Sequence, residues 1–286
     1  MKWRALLFVI PTLFFSGVLL YLVFYDLYFS FTNWSATNPS PKFVGVSTYS
    51  KIFSSTSFSN ALVHSGMMAL TAVLVGNLLG LVVAGLLYFI MSNRRKIAYM
   101  SVFIYPLAIS MSSNALIWLW LFNPSSGINW LLASLHLPTY GWLSSPASQF
   151  PSFLLVVIWA YSGLAVIFYM AAFLNVDRSI IEAARLDGST DFRIFRTFLL
   201  PNSLNGFIVS TALLFLFSFR VFSLSYVIGG GPTNSSYQTL VMYAYYQFYT
   251  ESFAKSAAVS VIIIVIAAAV VIPYAIFGIK RWIKHA

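Results

Sequence analysis

The chain has 286 residues, of which 60% are hydrophobic and only 8% are charged. Soluble domains carry about 25% charged residues, and a soluble fold could not hide so much apolar surface. The absence of cysteine excludes disulfides, thiolate metal sites and a cysteine nucleophile. A net charge of +10 could indicate nucleic acid, but the basic residues lie at the edges of apolar runs, which is typical of membrane proteins. We therefore predict a polytopic membrane protein that contacts lipid and binds no nucleic acid.

Six apolar segments are each long enough for the roughly 20 residues that a helix needs to cross a bilayer. They lie near residues 5–28, 64–91, 97–122, 152–174, 203–228 and 257–279. The first segment could be mistaken for a signal peptide, but its apolar run exceeds the roughly 7–15 residues of such a sequence and no small-residue cleavage site follows. We expect it to be retained, which gives an all-α fold with one domain, residues 1–286, and six transmembrane helices.

The positions of lysine and arginine predict the orientation. With the N-terminus inside, twelve cations fall on the inner side: Lys2, Arg4, Arg94, Arg95, Lys96, Arg178, Arg185, Arg193, Arg196, Lys280, Arg281 and Lys284. The outer side holds only three, Lys42, Lys51 and Lys255. By the positive-inside rule, this bias predicts that both termini are cytoplasmic.

The inner connection, residues 175–202, carries signals for structure of its own. Ser179 followed three residues later by Glu182 has the spacing of a capping box, which predicts a helix start. Ala183 and Ala184 favour helix, and their small side chains would let another surface approach closely. By capping logic alone, this stretch could be no more than a well-capped connecting loop.

The same loop contains a predicted turn between two helices. Asp187-Gly188 should end the first helix, because glycine readily takes the left-handed conformation there. Ser189 or Thr190 can cap a second helix that runs to Pro201. The prediction is a compact helix-turn-helix on the inner face.

The spacing in this loop resembles the "EAA" motif of the permease subunits of ATP-binding-cassette importers. That motif reads Glu-Ala-Ala, three residues, Gly, ten residues with an apolar one last, one more residue, then Leu-Pro. The residues that fill it here are Glu182, Ala183, Ala184, Gly188, Phe198, Leu200 and Pro201. The resemblance implies that this loop grips a separate ATPase.

Other stretches are similar to sugar-importer permeases of the maltose, trehalose and glycerol-phosphate type. Residues 118–124 and 127–129 resemble the end of their third core helix and the loop after it. Residues 219–222 resemble the exit of the fifth, and an outer-loop motif follows: Gly229, Gly230, Gly231 and Pro232. This chain departs from the pattern at Ser223, where an acidic residue is frequent, and at Ile228, where threonine is frequent.

The resemblance implies that this chain is one subunit of a larger transporter. The chain would have the type I ABC importer fold with cytoplasmic coupling helices, and would pair with a second permease subunit as a heterodimer. Two ATP-binding subunits would bind ATP and Mg, while this chain would be non-catalytic, with no cofactor and no metal of its own. An extracellular or periplasmic sugar-binding protein would deliver the substrate. The expected location is the cell membrane of a bacterium or archaeon, with transport by alternating access.

Two other classes of function fit the sequence less well. An ion-coupled secondary carrier of a small polar solute usually has ionisable residues near the membrane midplane, and the predicted helices offer almost none besides Arg220. A membrane-embedded transferase or protease would need an acid-base constellation. The histidines His64, His136 and His285 are scattered and pair with no carboxylate at catalytic spacing. The importer permease is the favoured interpretation.

The resemblance also suggests a substrate pathway. Trp159 and Tyr161 could face it, because aromatic faces stack well on sugar rings. Ser218 aligns with a polar sugar-contacting position of the maltose-system permease. Helical spacing predicts that one face of the fifth helix lines the pathway through Leu214, Ser218, Val221 and Ser225.

Arg220 has two interpretations that the sequence leaves open. It lies about 17 residues into the predicted fifth helix, or roughly 26 Å from the inner end. It could be a snorkelling side chain anchored at the headgroups. It could instead be an intramembrane cation facing the pathway and paired with Asp26 on the first helix.

A stripe of small residues marks the second predicted span. Gly76, Gly80 and Ala84 repeat at every fourth position, which is the spacing of close helix contact in membranes. The contact could lie within this subunit or with a partner.

Overall fold

The computed structural model describes residues 2–285, with side chains from residue 9 to residue 276. The basic residues at the two ends of the chain, on which the orientation partly rests, have side chains outside that range. The helices are α1 (Lys2–Ser30), α2 (Ser47–Phe53), α3 (Thr56–Tyr88), α4 (Asn93–Ala108), α5 (Met111–Leu121), α6 (Gly127–Ser134), α7 (Pro146–Leu174), α8 (Arg178–Leu186), α9 (Asp191–Ile194), α10 (Leu200–Asn202), α11 (Leu204–Phe219), α12 (Ser223–Gly229), α13 (Leu240–Tyr249) and α14 (Phe253–His285). The described part contains no strand, only two isolated bridges. The all-α prediction is confirmed.

The described residues contain between four and six candidate spans, a range whose upper limit is the six predicted. Four helices, α1, α3, α7 and α14, are each long and apolar enough to cross a membrane. Two bent pairs of helices are candidates for one further span each. Helix α4 meets α5 at 103°, and the helical stretch Asp191–Asn202 meets α11 at 64°. If each bent pair counts as one span, the total is six.

The third predicted segment, 97–122, is wrong as a single helix, because the chain breaks at Ile109 and Ser110. Ser110 has extended backbone dihedrals and its hydroxyl caps α5. The carbonyl of Pro106 then accepts a hydrogen bond of 2.8 Å from the Asn114 side-chain amide. A side chain therefore satisfies a backbone group that the break would otherwise leave unpaired in an apolar environment.

The fifth predicted segment, 203–228, is also wrong as a single helix. Helix α11 ends at Phe219, and α12 begins only at Ser223. The freed carbonyl of Val221 accepts a hydrogen bond of 2.9 Å from the hydroxyl of Thr239, which lies in the returning loop. This loop thus stabilises the break in the same way as Asn114 does in the third segment.

The core forms where α3 packs along α7 and α11. A Cβ added at Gly80 would lie 2.3 Å from the Cβ of Ala165 on α7, and one at Gly76 would lie 3.3 Å from Leu214 on α11. Ala84 is fully buried on the same face. The small-residue stripe therefore serves packing within this subunit.

A polar network joins these three helices at one point. The amide nitrogen of Asn77 on α3 donates to the Thr211 hydroxyl on α11 at 3.1 Å. The amide oxygen of Asn77 accepts from the Tyr169 hydroxyl on α7 at 3.1 Å and from Ser210 on α11. Because the side-chain amide is satisfied at both ends, it fixes the relative register of three helices at little cost in the apolar core.

Candidate coupling site and substrate pathway

The EAA segment, residues 177–202, begins with a cap that differs from the predicted one. Asp177 is the N-cap of α8, and its carboxylate accepts from both the backbone N–H and the hydroxyl of Ser179 at 2.9 Å. These hydrogen bonds, the backbone one first, lower the pKa of the Asp177 carboxyl below its ordinary value. The capping-box prediction is wrong, since Glu182 instead pairs with Arg178 at 3.4 Å. A carboxylate two residues before Ser179 is the stronger acceptor and takes the cap position.

The end of α8 follows the prediction. Gly188 has a left-handed φ of +76°. Its N–H donates to the Arg185 carbonyl at 3.0 Å, and the Ser189 N–H donates to the Ala184 carbonyl at 2.9 Å. These two bonds are the Schellman pattern that satisfies the last carbonyls of a helix. No atom lies within 4 Å of a Cβ added at Gly188, so backbone conformation alone requires glycine here.

The second helix of the EAA segment is irregular. Thr190 caps it, accepting from the Arg193 N–H at 3.4 Å. After one turn of α9 the chain forms a π-turn, Phe195–Leu199, in which the Leu200 N–H bonds to the carbonyl five residues back. Pro201, which has no N–H to continue the α-helical pattern, follows at once. The predicted second helix up to Pro201 is present as the continuous helical stretch Asp191–Asn202, but the π-turn inside it was not predicted.

The inward face of the EAA segment is anchored in the bundle. Ile194 and Leu199 are fully buried, and Ala184 is almost so. The Phe195 ring packs on α3 where a Cβ at Gly85 would lie only 2.7 Å away. The same ring meets Phe173 of α7 edge-on at 6.0 Å. The segment is therefore packed directly against the ends of α3 and α7.

The face of the EAA segment that points away from the bundle exposes large apolar side chains. Leu186 is 89% exposed and Phe192 is 73% exposed, although both lie on a polar connection. Glu182 and Ala183 are exposed beside them, and Leu200 and Pro201 are exposed at the far end of the segment. Beneath Phe192 lies an apolar cavity of about 340 Å³ between α3 and the segment. Exposed apolar patches rimmed by polar residues mark binding surfaces for partner proteins.

A second cavity, of about 310 Å³, lies between α3, α4, α5 and α7. Trp159 lines it, with the Trp118 ring perpendicular to it at 5.5 Å, and Ser162 lies beside them. Trp118 also lines the cavity, but its indole nitrogen is fully buried and has no hydrogen-bond partner among the described residues. Tyr161 lies outside this cavity, buried and stacked on Phe217 at 6.1 Å.

The predicted face of the fifth helix is not one surface, because α11 ends before two of its members. Leu214 and Ser218 are fully buried, and the Ser218 hydroxyl donates to the Leu214 carbonyl at 2.5 Å. Val221 lies in the break, and Ser225 lies on α12, where its hydroxyl donates to the Tyr237 carbonyl. Within this chain these four side chains pack inward.

Arg220 lies at the end of α11 and is exposed. No ion pair joins it to Asp26 in the part of the chain whose side chains are described, so the proposed pairing is wrong. Because the helix ends at Phe219, Arg220 can turn towards solvent or headgroups without crossing the apolar interior.

The outer-loop glycines have a conformational reason. Gly230 and Gly231 have φ values of +70° and +128°, which side-chain-bearing residues rarely adopt. The Gly231 N–H donates to the Tyr226 carbonyl at 2.9 Å and closes the end of α12. The carbonyls of Gly229 and Pro232 accept from Asn234 and Gln238 in the returning loop.

These features agree with comparisons to known proteins. The model of the family "binding-protein-dependent transport system inner membrane component" matches residues 76–282, which include the whole EAA segment. The chain belongs to this family. It is therefore a non-catalytic permease subunit, and the ion-coupled carrier and the membrane-embedded enzyme are no longer needed as alternatives.

Relatives of this permease cover its whole length. The glucose import system permease protein GlcT of Saccharolobus solfataricus is 50% identical over 285 residues, covering 100% of both chains. The sn-glycerol-3-phosphate transport system permease protein UgpA of Yersinia enterocolitica is 29% identical, covering 92% of this permease and 89% of the relative. A crystal structure of a bacterial ABC transporter involved in alginate import matches its fold with a TM-score of 0.83 at 19% identity, over 97% and 96% of the two chains.

Sequence reasoning missed three polar residues of this permease. Asn77, Asn114 and Thr239 each form a hydrogen bond that joins different elements of the bundle. For the two asparagines a signal was present, because an amide inside a long apolar segment must find a partner. For Thr239 there was none, since it lies in a loop rich in similar residues.

Proposed function

We propose that this permease is the transmembrane subunit of an ATP-driven importer for a monosaccharide of the glucose class. The observation that carries the proposal is 50% identity over the full length to a permease named for glucose import. In this proposal, a second permease completes the pathway, two ATP-binding subunits hold ATP and Mg, and a binding protein delivers the sugar. The same proposal puts the chain in the cell membrane with both termini cytoplasmic.

The coupling role falls to the EAA segment. Its exposed face, with Glu182, Ala183 and Leu186 on α8, would lie in a groove of the ATPase. Gly188 fixes the angle between α8 and the following turn, and Leu200 and Pro201 join the segment to α11. The packing of the segment supports this role, since one face is buried against the bundle and the other is exposed.

The substrate role falls to the cavity beside Trp159. Its volume of about 310 Å³ suits a single sugar ring. The Trp159 ring at its wall could stack on the sugar, and the Ser162 hydroxyl beside it could hydrogen-bond a sugar hydroxyl. Four other candidate residues are buried within the subunit, so we expect them to shape the pathway rather than touch the sugar: Tyr161, Leu214, Ser218 and Val221. Arg220 would lie near its outer mouth.

The test is ATP-dependent sugar uptake by the purified transporter in vesicles. We expect uptake of labelled glucose to need internal ATP and to survive collapse of the ion gradients. Trp159→Leu should raise the KM for sugar and leave ATPase binding unchanged, because it removes the aromatic face on which the sugar would stack. Uptake that follows the ion gradient would contradict the transport proposal, and an unchanged KM in Trp159→Leu would contradict the substrate proposal.

The coupling surface has a separate test. Leu186→Glu and Phe192→Glu should each reduce co-purification of the ATPase at least tenfold, since a charge would replace a buried apolar contact. Leu135→Glu is the matched control, because Leu135 is 60% exposed but lies after α6, away from the EAA segment. Equal ATPase yields in all three variants would contradict the coupling role.

A further inference from the structure

A polar cavity of about 350 Å³ lies at the end of the bundle opposite the EAA segment. Helix α3 connects the two ends, since its 33 residues span about 50 Å. Its last turns meet the EAA segment, and its first turn lies beside α2. Three segments enclose the cavity: the loop after α1, helix α2 and the start of α14. Neither the EAA segment nor the Trp159 cavity shares a residue with it.

The cavity is basic. Lys51 from α2 and Lys255 from α14 both line it. In the part of the chain whose side chains are described, neither amine has a hydrogen-bond or ion-pair partner. The acidic residue nearest in sequence, Glu251, forms no ion pair with either lysine. Two lysines without an ion-pair partner among the described residues therefore line one small polar cavity.

The walls of the cavity are fixed by hydrogen bonds between the three segments. The Ala254 N–H at the start of α14 donates to the Trp34 carbonyl at 2.9 Å, and the Ala36 N–H donates to the Glu251 carbonyl at 3.1 Å. The Thr48 hydroxyl on α2 donates to the Thr32 carbonyl at 2.8 Å. The cavity is thus a built feature of the fold.

Its position corresponds to the headgroup level of a bilayer. Helix α1 exposes apolar side chains along most of its described length and is a candidate membrane span, and α14 is another. The cavity lies where α1 ends and α14 begins. There the Trp34 ring packs between Phe29 at 4.6 Å and Phe253 at 4.9 Å. Aromatic clusters with a polar edge are typical of the membrane interface.

We propose that this cavity binds the headgroup of an anionic phospholipid. The two lysines would hold the phosphate, and the hydroxyl and amide groups of Ser35, Thr37 and Asn38 would face the rest of the headgroup. A concave space of this size between two membrane helices fits one headgroup better than the surface of a docking protein. A phosphate in solution has the same chemistry, but it lacks the acyl chains that would lie against α1 and α14.

The test compares lipid retention by variants of the assembled transporter with its partner subunits. Nanodiscs would contain phosphatidylcholine and phosphatidylglycerol, and the lipids that stay bound after detergent extraction would be counted by native mass spectrometry. We expect the wild type to retain phosphatidylglycerol preferentially. Each of Lys51→Gln and Lys255→Gln should weaken retention about fivefold, and the double variant should abolish the preference. Lys42→Gln is the matched control, because Lys42 belongs to the same loop region but does not line the cavity.

The variants with arginine at both positions separate charge from folding, since they should retain phosphatidylglycerol. Equal retention in the wild type and the double glutamine variant would overturn the proposal. So would lysine-dependent stabilisation by inorganic phosphate alone without any preference for phosphatidylglycerol, which would assign a soluble anion. Weakened binding of the partner binding protein with unchanged lipid retention would assign a protein contact instead.

Discussion

The EAA segment and the two helix breaks, after Ile109 and after Phe219, both interrupt a helix, but their stabilising partners come from different distances along the sequence. In the EAA segment the partners are near neighbours. Asp177 accepts from Ser179, two residues on, and Gly188 donates to Arg185, three residues back. A short string of residues therefore specifies each bend, whatever the rest of the chain does.

The two helix breaks are stabilised by residues farther away along the sequence. The Pro106 carbonyl accepts from Asn114, eight residues on and beyond the break. The Val221 carbonyl accepts from Thr239, eighteen residues on and in another element. These breaks form only when tertiary structure brings the partner side chain to them. The comparison therefore predicts large functional effects from local changes in the EAA segment, and effects on the stability of the bundle from changes at the breaks.

The largest expected effect is that of Gly188→Val. Valine in a left-handed conformation carries about 1–3 kcal/mol of strain, so the turn should open and move α8. We expect the protein to reach the membrane but to lose most of its ATPase binding and sugar-stimulated ATP hydrolysis. Co-purification of the ATPase with the purified permease measures the effect.

Gly45→Val is the matched control for that change. Gly45 has a φ of +60° and, like Gly188, no atom within 4 Å of an added Cβ, but it lies beside α2 at the other end of the bundle. The backbone strain is thus comparable while the EAA segment is untouched. If both variants lost the ATPase equally, general misfolding would explain the result and the special role of the Gly188 turn would be wrong.

The same contrast explains how much the sequence predicted. Six apolar runs identified the spans, and Gly188 identified the end of α8, because hydrophobicity and left-handed glycine act locally. The break after Ile109 was missed because the run from 97 to 122 stays apolar across it. The break after Phe219 was missed because its partner, Thr239, has no local signature. The Trp159 cavity could only be suggested by resemblance, since it forms where α3, α4, α5 and α7 pack together.

Asn114→Leu should have the next largest effect. It removes the donor that satisfies the buried Pro106 carbonyl, which should cost about 2 kcal/mol of stability. We expect a lower midpoint of thermal unfolding for the purified transporter and reduced sugar uptake. Asn202→Leu is the control, because the Asn202 amide also donates to a backbone carbonyl at 2.8 Å but is exposed to solvent. An equal fall of the unfolding midpoint in both variants would show that the break has no special dependence on Asn114.

Thr239→Val should have a smaller effect at the second break. Valine keeps the shape of threonine but loses the hydroxyl that donates to the Val221 carbonyl, at a cost of about 1 kcal/mol. The same hydroxyl accepts from the Met242 N–H at the start of α13, so the loss of that cap adds to the effect. Thr250→Val offers a control, since the Thr250 hydroxyl also donates to a backbone carbonyl, at 3.0 Å, on an exposed turn. The two unfolding midpoints should differ. A midpoint for Thr239→Val equal to the wild type would mean that the returning loop does not hold the break.

The smallest effect concerns the cap of α8 and its dependence on pH. Hydrogen bonds to Ser179 lower the pKa of the Asp177 carboxyl in the folded chain, so ionised Asp177 stabilises the cap above the ordinary pKa of aspartate. That stabilisation is lost as the pH falls through the lowered folded value. Asp177→Asn should keep a cap whose strength does not change over this acidic range, because asparagine is also a good N-cap residue. Ser179→Ala should matter less than Asp177→Ala, since alanine keeps the backbone N–H that the carboxylate binds. Amide hydrogen exchange in the first turn of α8 measures all three variants. Faster exchange in Ser179→Ala than in Asp177→Ala would mean that Ser179, and not Asp177, is the residue that caps α8.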